Sequence, residues 1–143
     1  MSRLRRRLAG VRGDRGGVSI FVAMLAPVLL LLVGLVVDGA GQIRALQRAD
    51  NVAAQAARTA GQAIDLPAAV GGGVKRIDPA AANQAAAQYL ASAGATGTVT
   101  VAPDRQSVTV TATITHRPVL LSAFGYGSRD VTGEATARLI TPN

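Results

Sequence analysis

The chain has 143 residues, 49% of them hydrophobic, a formal net charge of +7 and no cysteine. That length suits one domain, or less where part of the chain lies in lipid, and the missing cysteines exclude disulfides, thiol chemistry and Cys-based metal sites. With two Phe, two Tyr and no Trp, Ala, Val and Leu must build any soluble core, which is then thin and only modestly stable.

The charge is uneven along the chain. Residues 1–16 carry Arg3, Arg5, Arg6, Arg7, Arg12 and Arg15 against Asp14, a net +5, and the other nine basic and seven acidic groups add +2. The high pI therefore reports a short N-terminal tail. No folded reader accompanies it, so nucleic acid is not an expected partner. The arginines read as a topology anchor that holds the tail in the cytoplasm.

Gly17 to Val37 follows, 21 residues without a charge. As a helix it reaches about 32 Å, enough for the roughly 30 Å hydrocarbon core. A soluble core helix would show polar positions every third or fourth residue, and Val28 to Val33 shows none. The run exceeds the roughly 7–15 apolar residues of a secretory signal, and Asp38 stands where a cleavage site wants a small neutral residue. The sequence therefore predicts a retained transmembrane helix over 17–37. Pro27 sits inside it, either as a harmless kink or as a bend that sets how the span packs. Asp38 closes it, either as an interfacial charge or as a partner for a neighbouring subunit's arginine.

Helical spacing continues beyond the lipid. Ile43, Leu46, Ala53, Ala57, Ala60 and Ile64 recur on one face, with Arg44, Arg48, Asn51, Gln55, Arg58 and Gln62 on another. One helix from about Gly17 to Ile64 is expected, with a bend allowed at Gly39 and Gly41. Its alanine stripe suits a sheet-covering role, and close helix-to-helix contact is the other reading. Pro67 and Gly71–Gly73 then predict a flexible loop over 65–77. A second, short helix follows, with Asp78 as N-cap, Pro79 at its first position, Gly94 as a left-handed stop, and Tyr89 and Leu90 as anchors.

From Gly97 the period changes to two. Residues 98–102 and 107–115 alternate apolar residues with threonine around a turn at 103–106, and 131–140 alternates likewise. Val99, Val101, Val108, Val110, Ala112 and Ile114 are expected to face the helix, and Val131, Gly133, Ala135, Ala137 and Leu139 to share one side of a third strand. Residues 117–127 read as a loop or short helix whose Leu120, Leu121 and Phe124 plug the core, with an exposed partner patch as the other reading. The expected architecture is α+β and pilin-like. A long N-terminal transmembrane helix continues into a stalk, followed by a short helix and a small antiparallel sheet of about three strands. The divisions are a basic cytoplasmic tail (1–16), the transmembrane helix (17–37), an extracytoplasmic helical stalk (38–64) and a small α+β head (65–143).

No catalytic constellation emerges. His116 is the single histidine and reads as a solvated side chain at a strand end. The carboxylates are scattered without acid/base spacing, and Gly71–Gly73 lacks the strand and Lys-Ser/Thr of a phosphate loop. No enzyme activity, cofactor or metal is expected.

Arg15-Gly16, Pro27, Asp38, Leu46-Gln47 and Ala49 form an ordered set. With the alanine-rich helix after them, residues 15–60 resemble the N-terminal segment of the TadE/TadG-like proteins of Flp (tight-adherence) pilus assembly. That resemblance implies a minor pilin-like subunit or assembly component. It would be single-pass in the bacterial cytoplasmic membrane, with its head outside and other Tad pilus-assembly proteins or pilin subunits as partners. It also implies a prepilin peptidase site after Gly16 or Gly17. Many family members carry a glutamate five residues past the cut; here Phe21 or Val22 holds that place. A membrane-tethered binding module outside any pilus is the alternative function.

Overall fold

The computed structural model describes residues 14–70 and 74–140. Helix α1 (Asp14–Gly61) runs unbroken through Pro27, Gly39 and Gly41. Its 48 residues make a rod about 72 Å long. Among the described residues, α1 is the one helix long and apolar enough to cross a membrane. Residues 18–33 are exposed throughout, as expected of a segment whose solvent is lipid.

The C-terminal part of α1 is a wall of the head. Ala49, Val52, Ala53, Ala56, Ala57 and Ala60 are buried there, while Asn51, Gln55 and Arg58 are exposed. This is the sheet-covering role. Ile43 and Leu46, expected on the buried face, are exposed instead, because the face of α1 turned to the head there runs through Gly41 and Ala45, which are half-buried. The helix also ends at Gly61, and Ile64 forms an isolated bridge with Ile77.

The 65–77 connection is more structured than a glycine-rich loop implies. It holds a short helix, α2 (Leu66–Val70), and Ile77, one of the largest fully buried side chains. Helix α3 (Pro79–Ser92) has the expected ends. The Asp78 carboxylate accepts from Ala80 N and Ala81 N, and Gly94 takes the left-handed conformation at φ +67°. Leu90 is buried and Tyr89 half-buried. Arg48 Nη2 of α1 donates to Ala93 O at 3.1 Å, which ties the end of α3 to the rod and offsets its dipole.

Strands β1 (Thr96–Val101), β2 (Ser107–His116) and β3 (Arg129–Arg138) form an antiparallel sheet in that order. Val110 pairs with Val99 on one side and Ala135 on the other. Val108, Val110, Ala112 and Ile114 are buried against the helices, as the alternation requires. The threonines face outward and bond across strands, Thr109 to Thr136 at 2.8 Å and Thr115 Oγ1 to Asp130 at 2.7 Å. The hairpin turn holds Arg105 at φ 58°, and Arg105 N donates to Ala102 O at 2.9 Å.

The core is made mostly of alanine, so the rod lies close on the sheet. A Cβ built on Gly133 would overlap the backbone of Ala49 and Asp50. Glycine is needed there for close approach rather than for its torsions.

Candidate functional site

The feature that organises this molecule is the junction between the apolar half of α1 and the head. From Val18 to Arg48, among the described residues, only Gly34 and Asp38 are buried. They stand one helical turn apart and so share a face. The 117–127 connection covers that face.

This connection leaves β2, makes a 3-10 turn (Leu121–Phe124) and enters β3. Val119 N donates to the Asp38 carboxylate at 2.8 Å, Leu120 N at 3.0 Å and Leu121 N at 2.6 Å. Asp38 is only 5% exposed. A buried carboxylate is costly unless hydrogen-bonded, and here three backbone donors at the start of a turn satisfy it. The Leu121 N–H is the largest influence holding its carboxyl below the ordinary aspartate range. Burial opposes this, while the Val119 and Leu120 N–H groups and nearby His116 reinforce it. The carboxylate is thus bonded within its own chain, where the sequence suggested either an interfacial charge that ends the apolar run or a partner for a neighbouring subunit's arginine.

Gly34 makes the approach close. A Cβ there would meet Leu120 Cβ at 3.4 Å and Leu121 Cδ2 at 3.5 Å. Leu120 and Phe124 are 40% and 48% exposed. They do not plug the head core as expected, because the turn is pinned to the rod well before the first core alanine. His116 also differs from its expected solvated state. Its ring lies over Gly41, and its Nε2 is buried without a hydrogen-bond partner. A shallow cavity of about 180 Å³ opens beside Asp38, lined among others by Gln42, His116, Tyr126 and Arg129.

The other expected site residues do not converge on this junction. Phe21 is 65% exposed near the far end of α1, Pro27 lies mid-helix, and Gly17 meets no neighbour. Gly16 falls in the first turn of α1. Arg3, Arg5, Arg6, Arg7 and Arg12 lie outside the described residues, as does the side chain of Arg15. Among the described residues no group of three His, Cys, Asp or Glu side chains could hold a metal ion.

The sequence reading missed Gly34 and the backbone donors at 119–121. The available signal was a glycine four residues before the lone aspartate, in a run otherwise of leucine and valine.

An exposed apolar helix, an aspartate at its end and an alanine seam beyond it bear comparison with known families. Residues 16–63 match the Tad family, described as "Putative Flp pilus-assembly TadE/G-like". This stretch is similar to the TadE/G-like family. It covers the exposed part of α1, the Asp38 junction and the alanine seam, about a third of the chain. No match was found among curated proteins or among solved structures. The Tad segment supports a role related to pilus assembly, and its apolar helix fits a membrane-anchored protein.

Proposed function

We propose that this chain is a minor pilin-like or assembly component of a Flp-type (Tad) pilus or related secretion machine. The arginine tail stays in the cytoplasm, α1 crosses the cytoplasmic membrane, and the head stands outside. It acts by subunit packing, not catalysis. One observation carries the reading: the Tad segment lies on a single rod, apolar and exposed at one end and built into the head at the other. Such a rod transmits the position of the head to whatever packs against the span, because no loop intervenes to absorb movement.

The absence of cysteine allows a clean test. Single cysteines at Leu25 or Leu32, both exposed on the span, are placed in the full chain and cross-linked in piliated cells. The expected result is adducts with pilin subunits or pilus-machine membrane proteins, and loss of pili when the chain is deleted. Normal piliation in the deletion strain, with no such adducts, overturns the proposal.

A further inference from the structure

Residues 118–128 contain no charge and are bounded by Arg117 and Arg129. Within this stretch Val119, Phe124 and Tyr126 are 74%, 48% and 54% exposed. Large apolar side chains held in water at this density need an occupant. We propose that residues 118–127 form a membrane-inserted foot: an apolar lobe, clipped to the span by Asp38, whose tip lies among the lipids of the leaflet nearest the head.

Depth is the first argument. Leu120 and Leu121 pack on Gly34, three residues inside the charge-free run that ends at Val37. At 1.5 Å per residue, Gly34 lies about 5 Å below the last apolar residue. If the span fills the hydrocarbon core, side chains beside Gly34 are at acyl-chain depth. Backbone satisfaction is the second. Unpaired backbone polar groups are costly in lipid, and non-helical backbone is tolerated there where it is packed against protein, as this turn is against α1. The N–H groups of Val119, Leu120 and Leu121 go to Asp38, and those of Ala123, Gly125 and Tyr126 to Leu120, Ser122 and Leu121 carbonyls. Ser122 Oγ donates to Val119 O at 2.8 Å. Six backbone N–H groups of the lobe are thus paired within the chain, which lowers the cost of placing it in lipid.

The boundary residues agree. Aromatic side chains gather at membrane interfaces, and arginines there reach phosphates. Of the chain's four aromatic residues, Phe21 lies toward one end of the span and Phe124 and Tyr126 beside the other. Arg117 and Arg129 are exposed at the two roots of the lobe, suitably placed for headgroup phosphates. Charge complementarity thus favours phospholipid over a second copy of this basic chain.

The inference rests on the span being inserted, and the test separates the two. The chain has no tryptophan, so Phe124→Trp and Val119→Trp are each a sole reporter in the full chain. Both side chains are well exposed, and either reporter suffices if its far-UV circular dichroism matches the parent. Thr100→Trp is the control. It is exposed and pairs with Thr109, seven residues up β2 from His116, about 23 Å away. Each variant is reconstituted into phosphatidylcholine vesicles with bromines on the upper acyl carbons. Flotation with the vesicles, blue-shifted emission and loss of most of the fluorescence are expected at 124 and 119, with the control unquenched. A floating chain with unquenched reporters overturns the foot alone, whether emission is red-shifted by water or blue-shifted by a covering protein. Equal quenching of the control overturns it too, since the whole head then lies on the bilayer. A chain that does not float overturns span and foot together.

Discussion

The Asp38 carboxylate accepts the Leu121 N–H at 2.6 Å across 83 positions of sequence. That contact, with those from Val119 and Leu120, fixes the lower edge of the head to the rod. The alanine seam, with its contacts to the sheet and to α3, holds the rest of the head to the rod.

Asp38→Ala is therefore expected to free the 118–127 lobe while leaving the head core intact, since Asp38 touches none of the core alanines. Amide hydrogen exchange should rise many-fold at Val119, Leu120 and Leu121 and stay unchanged at Val110. Asp38→Asn keeps an acceptor oxygen without the charge and should fall between the two. Unchanged exchange at 119–121 in the alanine variant would refute the clip.

Acid should act as the alanine variant does. The folded carboxyl titrates below its ordinary value, so its contribution is complete above the unfolded-chain value of roughly 3.9 and is lost as pH falls through the lower folded value. The Leu121 amide resonance is expected to titrate with a midpoint below that of an unstructured aspartate. A midpoint at or above it contradicts the assignment.

Gly133→Ala should destabilise the head. The added methyl would meet backbone of Ala49 and Asp50, which cannot rotate away as a flexible side chain could. Overpacking of this kind costs about 1–3 kcal/mol, measurable by urea denaturation of the full chain in detergent micelles.

Ile77→Ala tests the opposite defect. Ile77 is fully buried in a core built mostly of alanine, with few large neighbours able to collapse into the space. A loss of about 2–5 kcal/mol is expected, and Ile77→Val should lose about 0.5–1.5 kcal/mol in the same assay.

Processing separates subunit from anchored assembly factor. On co-expression with a prepilin peptidase, the minor pilin-like role predicts removal of residues 1–16 or 1–17, read as intact mass. An unchanged mass would assign the chain to the permanently anchored assembly components.

Much of the architecture was legible because its signals are local. An uncharged run of 21 residues matches the thickness of a bilayer wherever it occurs. Asp78, Pro79 and Gly94 mark the ends of α3 through hydrogen bonds and torsions within a few residues of each. Alternation of valine with threonine specifies strands whose inner face is known before any partner is. These features required only chain geometry and the period of the apolar residues. Which helix face would be covered, and where covering would begin, was not local. Ile43 and Leu46 read as part of the same apolar pattern as Ala53 and Ala57, yet they are exposed, because the covered face there passes through Gly41 and Ala45. The fate of residues 117–127 was equally hidden. Their apolar composition suits a core plug or an outward lobe, and pairing of Asp38 with backbone 81 to 83 residues away decided between them. Long-range packing chooses among faces that local chemistry leaves equivalent, so the elements were readable from sequence and the seat at Gly34 and Asp38 only from the fold.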